Sequence, residues 1–194
     1  MTRKKWIAAG VIIVGLILIL RHPSSQLTNT GTLIEGDHIS LTSTVSPSQL
    51  SGRPQVEINT SKGKFVIELR PDIAPKTVVN FLSKWSNSYC KGLTFHRVED
   101  WVVQGCDPAG NGTGGSLNLP TETSGELFTQ GAVGVARQAT PKEKSNDSQF
   151  FIVKKDSLFL NSEYTFFGRV ISGMDVVNRL AAGDNIISTD ILTK

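Results

Sequence analysis

The sequence predicts a mainly β domain, an antiparallel sandwich or a closed barrel, that begins near residue 55. Many short segments are apolar or alternate polar with apolar residues, whereas only two segments show helical spacing. Turns rich in glycine and proline separate these segments. Strands and helices do not alternate along the chain, so a doubly wound parallel sheet is not expected. The 194 residues suffice for one domain and an appendage.

The first elements are a hairpin and a helix. Residues 55–60 alternate polar and apolar side chains, which predicts a half-buried strand. A turn at residues 61–64 leads to a return strand at residues 65–69. Thr77 is predicted to cap or begin a helix. Its apolar positions recur at helical spacing: Val78, Phe81, Leu82 and Trp85.

The rest of the domain is predicted to consist of strands and one more helix. Strand alternation places Phe95 and Arg97 on one face and His96 on the other, while Val102 and Gln104 share a face of the next strand. His96 is interpreted as a satisfied core or edge histidine. The predicted strands are residues 95–98, 101–104, 132–136, 149–153, 164–170 and 186–191, and the helix covers residues 174–180.

The N-terminal segment resembles a membrane anchor. Arg3, Lys4 and Lys5 precede an uncharged run at residues 6–20. This pattern predicts a basic cytoplasmic tip at residues 1–5, a signal anchor or transmembrane helix at residues 6–20, and a single-pass protein whose domain is extracytoplasmic. No small-residue cleavage site follows the run, which favours retention. A cleaved signal, giving a secreted form, and a buried core helix remain alternatives.

Residues 21–54 are predicted to be a flexible linker. Twelve of these 34 residues are Ser or Thr, three are Pro and none is aromatic. Such a segment buries too little apolar area to offset the entropy of ordering it. We therefore assign residues 55–194 to the folded domain.

Charge and cysteines restrict the function classes. The net charge of +3, from 20 basic and 17 acidic residues, is too balanced to indicate a nucleic-acid partner. Cys90 and Cys106 show no spacing typical of a metal site, and none is predicted. A strand hairpin running from residue 95 would place them out of register, so two thiols are favoured over a disulfide.

Two segments carry the functional signal. Gly92-Leu93-Thr94-Phe95-His96-Arg97-Val98 places one cation among apolar neighbours, and Ser148-Gln149-Phe150-Phe151-Ile152-Val153 offers an amide and two aromatic rings. No Ser-His-Asp arrangement or G-x-S-x-G motif is evident. Such a set suits a reaction that needs electrostatics and shape without bond-making. Rotation about a prolyl peptide bond is a reaction of this kind.

From about residue 55 to residue 191 the chain resembles the cyclophilin-type peptidyl-prolyl isomerases. The resemblance implies a closed eight-stranded antiparallel barrel with a helix over each open end and a substrate groove on the outer face. It also implies proline-containing polypeptides as substrates and no cofactor. Besides the two segments above, the matching stretches are Ala74-Pro75-Lys76-Thr77-Val78-Val79-Asn80-Phe81, Val103-Gln104-Gly105, Gly112-Thr113-Gly114-Gly115 and Phe167-Gly168-Arg169-Val170.

The resemblance also implies roles for individual residues. Arg97 matches the catalytic arginine. Phe159 stands where Trp or His is frequent, which predicts only weak binding of a cyclosporin-type ligand. The implied substrate-binding residues are Trp101, Val102, Gln104, Ala136, Arg137, Gln149, Phe151, Phe159, Leu160 and Tyr164.

The chain departs from the family pattern in three places. The stretch from Arg97 to Trp101 is one residue shorter than usual, Cys106 replaces a usual glycine, and the loop at residues 138–147 is longer and richer in lysine. The rival hypotheses are a membrane-tethered proline-peptide clamp with little turnover, and a scaffold in a membrane complex. The presence of Arg97 favours the enzyme.

Overall fold

The computed structural model describes residue 50 and residues 52–192. The predicted tip at residues 1–5 and the predicted apolar helix at residues 6–20 lie outside the described residues, as does nearly all of the predicted linker at residues 21–54. Over the described part of the chain, no helix combines the length and the apolar character needed to cross a membrane.

The described residues form ten strands and two α-helices. Every strand and helix predicted for residues 55–191 is present, although several ends shift by one or two residues. The two-residue strands β5 and β7 and a short 3₁₀ helix were not predicted. The bounds are β1 Gln55–Thr60, β2 Gly63–Leu69, α1 Pro75–Ser86, β3 Phe95–Val98, β4 Val102–Gly105, β5 Leu119–Pro120, β6 Ala132–Val135, β7 Lys144–Ser145, β8 Phe150–Val153, the 3₁₀ helix Leu158–Leu160, β9 Phe166–Ser172, α2 Met174–Arg179 and β10 Ile186–Leu192.

Eight of the strands form one antiparallel sheet in the order β10-β1-β2-β9-β6-β8-β4-β3. The sheet is curled, and a bridge between Thr94 and Asn185 links the chain beside its two outermost strands. The mainly β, eight-stranded prediction is therefore confirmed. Strands β5 and β7 form a separate small ladder.

Helix α1 closes one side of the core. Pro75 occupies its first turn, where the missing N–H costs nothing. The sequence suggested Thr77 as a cap or first residue, but Thr77 lies inside the helix. The cap comes from a distant loop instead, because Glu122 accepts hydrogen bonds from the backbone N–H groups of Lys76 (3.2 Å) and Thr77 (2.9 Å). A carboxylate suits the positive end of the helix dipole.

Apolar side chains form two clusters, one on each face of the sheet. The larger cluster lies inside the curl and includes Phe81 and Phe167, whose rings stack with centroids 4.7 Å apart. Strand alternation on β8 sends Phe150 inward and Phe151 outward. The outer cluster carries the candidate site and comprises Val102, Phe128, Ala132, Phe151, Val153, Leu160 and Phe166.

Cys90 and Cys106 form a disulfide, so the prediction of two thiols was wrong. Their Cα atoms are 5.1 Å apart. The predicted register assumed an extended chain from Cys90 into β3. Instead the chain turns there: the N–H of Lys91 donates to Ser88 O (3.0 Å), and that of Leu93 donates to Cys90 O (3.0 Å). Cys90 thus folds back onto the residue that follows β4.

Candidate active site

A solvent-open cavity of about 80 Å³ lies on the outer face of the sheet. It combines the side chains of two arginines, one amide and several apolar or aromatic residues. Nine of the eleven residues predicted as catalytic or substrate-binding line it: Arg97, Trp101, Val102, Gln104, Ala136, Arg137, Phe151, Leu160 and Tyr164. We call it the apolar cavity.

A β-bulge at His96 aims Arg97 at this cavity. Phe95 pairs with Gly105 and Arg97 pairs with Gln104, so His96 is an extra residue on β3. Phe95 is fully buried in the inner cluster, whereas Arg97 lines the outer cavity. The predicted alternation, with Phe95 and Arg97 on one face, is therefore wrong, because it assumed a regular strand.

His96 itself is half-buried by its position in the bulge. Among the described residues its buried Nδ1 has no hydrogen-bond partner, so the prediction of a satisfied histidine does not hold. Burial lowers the pKa of His96, and nearby Arg97 lowers it further against the opposing attraction of Asp107. The side chain is not among those lining the apolar cavity.

The short turn between β3 and β4 places Trp101 at the cavity. The N–H of Glu99 donates to Val102 O (2.8 Å), which leaves Asp100 and Trp101 as a two-residue hairpin loop. The indole of Trp101 lies 5.3 Å from the guanidinium carbon of Arg97, within cation–π range. The shortened turn thus keeps an aromatic wall beside the arginine.

The guanidinium of Arg97 has two protein partners and one open end. Its Nε donates to Glu99 Oε1 at 2.7 Å, and its Nη1 makes a long contact of 3.4 Å with Gln104 Oε1. Among the described residues, Nη2 makes no hydrogen bond. The side chain is 43% exposed, so a bound peptide can reach it.

A chain of amide hydrogen bonds orients Gln104. Its Nε2 donates to Gln149 Oε1 (2.9 Å), and Gln149 Nε2 donates in turn to the carbonyls of Gly112 (3.1 Å) and Gly114 (2.8 Å). Gln149 is almost fully buried. Because both amides have partners, Gln104 can offer a fixed polar edge to a ligand.

The apolar wall is built from packed rings and one glycine. Phe151 and Leu160 are 5% and 4% exposed, so they form a nearly closed floor. Phe151 stacks on Phe128 (5.8 Å) and meets the edge of Tyr164 (5.7 Å). A Cβ on Gly134 would overlap both phenyl rings, so this strand position requires glycine.

The backbone that follows β6 is partly occupied by hydrogen bonds within the protein. The resemblance implies that Ala136 and Arg137 bind the substrate. The N–H of Ala136 already donates to Gln149 O (3.1 Å), and its carbonyl accepts from the N–H of Asn146 (2.8 Å). Within the described residues no hydrogen bond involves the N–H or the C=O of Arg137. Of the backbone N–H groups of these two residues, that of Arg137 is thus the one available to a peptide.

The side chain of Arg137 is packed into the protein and stabilises one side of the cavity. It is only 4% exposed and donates to the Glu163 carbonyl (2.8 Å) and to Glu163 Oε2 (2.9 Å). Its guanidinium carbon also lies 4.4 Å from the ring centroid of Tyr164. These contacts hold the segment that follows the 3₁₀ helix against β6.

Two predicted residues do not line the apolar cavity. Phe159 lies outside it and is 68% exposed, with its ring edge-on to Trp101 at 5.2 Å. Gln149 lines a neighbouring polar cavity of about 90 Å³. Six further residues of that cavity were not predicted as site residues: Gly112, Thr113, Gly115, Leu117, Gln138 and Asn146. The first three belong to the glycine-rich run that the sequence analysis singled out.

The curled β-sheet with an open cavity on its outer face is the architecture of a peptide-binding protein. The chain matches the family model described as cyclophilin type peptidyl-prolyl cis-trans isomerase/CLD over residues 55–192. It therefore belongs to the cyclophilin-type peptidyl-prolyl cis-trans isomerases and catalyses cis/trans isomerisation of X-Pro peptide bonds.

Individual relatives agree with this assignment. The chain is 40% identical to a peptidyl-prolyl cis-trans isomerase of Schizosaccharomyces pombe over 140 residues, covering 70% of this chain and 87% of the relative. It is 39% identical to a probable peptidyl-prolyl cis-trans isomerase of Brucella suis, covering 66% of this chain and 71% of the relative.

Two crystal structures of a cyclophilin from Cryptosporidium parvum are similar to the fold. The first has a TM-score of 0.68 at 28% identity and covers 74% of this chain and 99% of that chain. The second, determined in the presence of the dipeptide Ala-Pro, has a TM-score of 0.66 at 29% identity and covers 72% and 99%.

Proposed function

We propose that Arg97 catalyses rotation of an X-Pro bond whose proline ring occupies the apolar cavity. The observation that carries the proposal is the open Nη2 of Arg97 at the edge of a pocket floored by Phe151 and Leu160. Gln104 and the backbone of Arg137 hold the flanking peptide groups. One side of the bond is then fixed while the other side turns.

The chemistry follows from the electronic structure of the peptide bond. Resonance gives this bond a rotation barrier of about 18–20 kcal/mol. As the bond twists, the proline nitrogen becomes pyramidal and regains a lone pair. A hydrogen bond from Arg97 to that lone pair forms only in the twisted state, so it lowers the barrier without tightening the ground state.

The proposal is tested by Arg97→Ala in an isomerase assay with a short X-Pro peptide. We expect kcat and kcat/KM to fall together by about 100-fold, because the lost interaction belongs to the transition state. Peptide affinity should fall much less. Arg97→Lys should restore little, since an ammonium lacks the planar fork that keeps one donor open.

The rival hypothesis is a proline-peptide clamp with little turnover. In that case Arg97→Ala would weaken peptide binding while kcat stayed unchanged. Measuring kcat by nuclear magnetic resonance exchange and the peptide Kd by titration of the same protein separates the two functions.

We also infer that the curled sheet closes into a barrel. The N–H of Phe95 donates to Asp184 O (2.8 Å), and the N–H of Ile186 donates to Leu93 O (2.9 Å). Both hydrogen bonds connect the segments beside the two outermost strands. If the barrel is closed, the amides of Phe95 and Ile186 should be protected from hydrogen exchange as strongly as those of β1. Fast exchange at these two positions would contradict closure.

We further propose that a membrane anchor at residues 6–20 holds the domain on the extracytoplasmic side. The basic residues before this run support that orientation. The fully buried disulfide between Cys90 and Cys106 also supports it, because disulfides persist in oxidising compartments. An alkaline phosphatase fusion after residue 194 should be active, and inactivity would contradict the orientation. The intact mass of membrane-extracted protein distinguishes the anchor from a cleaved signal.

A further inference from the structure

One carboxylate outside the apolar cavity holds two of the side chains that line it. Glu99 Oε1 accepts from Arg97 Nε at 2.7 Å, and Glu99 Oε2 accepts from Trp101 Nε1 at 2.8 Å. Glu99 itself does not line the cavity and is 45% exposed. The arginine and the aromatic wall are therefore joined through a residue that a bound peptide need not touch.

The hairpin fixes Glu99 where it can make both contacts. Its N–H donates to Val102 O (2.8 Å), and its carbonyl accepts from Lys154 Nζ (2.8 Å). The backbone of Glu99 is thus held by β4 and by the segment after β8. The hydrogen bond from Arg97 keeps the pKa of Glu99 low against the opposing effect of burial, and the hydrogen bond from Trp101 lowers it further. The carboxylate is therefore ionised at neutral pH.

We propose that Glu99 is a positioning residue that aligns Arg97 for catalysis and Trp101 for binding the proline ring. The inference rests on the proposed catalytic function of Arg97. With Nε held by Glu99 and Nη1 near Gln104, the guanidinium has one fixed orientation that leaves Nη2 open. An arginine side chain without these contacts would sample several rotamers, and ordering it in the transition state would cost conformational entropy.

Both contacts require a carboxylate of this length. Arg97 Nε and Trp101 Nε1 are both donors, and they reach different oxygens of the carboxylate, Oε1 and Oε2. Gln at position 99 offers one acceptor and one NH₂ group, so it can satisfy only one of them. Asp has two acceptors, but it lacks the methylene that carries them to the two donors.

The same contacts contribute little to folding stability. Ion pairs between exposed side chains are weak because water and salt screen them. We therefore expect Glu99 variants to change activity while the urea midpoint of unfolding stays close to that of the wild type. This separation distinguishes positioning from a general structural role.

The first experiment measures kcat and KM for an X-Pro peptide in the full-length chain. Glu99→Gln and Glu99→Asp should each lower kcat about tenfold through Arg97 and raise KM through Trp101. Asp100→Asn is the matched control. It removes one negative charge from the same turn, but Asp100 pairs with Lys155 (2.9 Å) and makes no hydrogen bond to Arg97 or Trp101. Asp100→Asn should change kcat less than twofold.

The second experiment combines Glu99→Gln with Arg97→Ala. If Glu99 acts on kcat through Arg97, Glu99→Gln should lower kcat in the wild type and leave it unchanged in the Arg97→Ala background. Equal losses in both backgrounds would overturn the proposal, as would a wild-type kcat unaffected by Glu99→Gln. If Arg97→Ala itself left kcat unchanged, the proposed function of Arg97 would fail first, and the positioning role would fail with it.

A spectroscopic readout tests the contacts independently of activity. In ¹H–¹⁵N spectra, Nε–H of Arg97 and the indole N–H of Trp101 should show slow solvent exchange in the wild type. Both signals should remain protected in Asp100→Asn, and at least one should lose protection in Glu99→Gln. Unchanged protection in Glu99→Gln would show that the carboxylate does not hold these groups, whatever the kinetics.

Discussion

The two loops that flank β4 are held in opposite ways. The turn before β4 relies on exposed contacts: the ion pair between Asp100 and Lys155, for example, joins side chains that are 76% and 63% exposed. The loop after β4, residues 106–115, begins at a disulfide whose two residues are fully buried. It continues with Asp107, which is 1% exposed.

This contrast predicts that the turn before β4 serves catalysis and that the loop after β4 serves folding stability. Exposed hydrogen bonds can orient a catalytic arginine while contributing little to the free energy of folding. Buried hydrogen bonds and cross-links contribute much to that free energy, because their removal leaves unpaired groups or a freer unfolded chain. We therefore expect variants of the loop after β4 to change stability, and variants of the turn before β4 to change turnover.

The largest expected effect on stability comes from removing the disulfide. It closes a loop with a sequence separation of 16 residues. Cross-links of this span stabilise folded domains by about 3 kcal/mol. Cys90→Ala/Cys106→Ala should therefore lower the free energy of unfolding in urea by about that amount, with a smaller effect on kcat. Equal stability of the oxidised and reduced wild type would contradict this.

A second double variant serves as its control. Cys106 has φ of +63°, in the left-handed region that glycine adopts without strain. Cys90→Ala/Cys106→Gly lacks the disulfide but relieves this strain, so it should be about 1 kcal/mol more stable than the double alanine variant. Added reductant should change neither variant.

Asp107→Asn should have the next largest effect. Asp107 Oδ2 accepts from the N–H groups of Asn111 (2.8 Å) and Gly112 (2.6 Å), and Oδ1 accepts from that of Ala109 (3.1 Å). An amide has only one acceptor oxygen, so at least one of these part-buried hydrogen bonds would be lost, with its donor facing an NH₂ group. We expect a loss of about 2 kcal/mol in the free energy of unfolding at pH 7.

The same carboxylate makes stability depend on pH. Burial alone would raise the pKa of Asp107, but three backbone N–H donors and the nearby His96 lower it below its usual value. Its contribution is therefore complete above the unfolded pKa of about 3.9 and is lost as pH falls through the lower folded pKa. The stability difference between wild type and Asp107→Asn should shrink below about pH 4. A difference that did not depend on pH would contradict this assignment.

Most of the fold could be predicted because its signals are local. The alternation in residues 55–60 and the helical spacing around Phe81 depend only on side chains that lie next to each other in a strand or helix. The two-residue strands β5 and β7 were missed because one pair of hydrogen bonds leaves no periodic pattern. Glu122 was missed as the cap of α1 because it is 45 residues away from Thr77.

The candidate site was predictable in composition but not in geometry. The family resemblance predicted which residues belong together, and nine of the eleven line one cavity. It could not show the bulge at His96, because the extra residue is defined only by pairing with β4. The contacts of Glu99 were also missed. The sequence shows that the turn between Arg97 and Trp101 is short, but it does not show the backbone conformation that brings both side chains to Glu99.

The smallest expected effect concerns Phe159, at the edge of the exposed side. Its phenyl ring offers an apolar face but no hydrogen-bond donor. The indole N–H of Trp101, beside which it lies, is already donated to Glu99. A cyclosporin-type ligand would therefore find no free indole donor here, and we expect weak inhibition of the wild type.

Phe159→Trp tests this expectation in one isomerase assay. A new indole N–H that pairs with a ligand carbonyl is worth about 1 kcal/mol, or about fivefold in affinity. The variant should thus be inhibited at about fivefold lower cyclosporin concentration, with each titration normalised to its own uninhibited rate. Phe159→Tyr is the control, because its hydroxyl adds a donor at a different distance from the backbone. Wild type inhibited at stoichiometric drug would show that an indole donor at position 159 is not needed for tight binding.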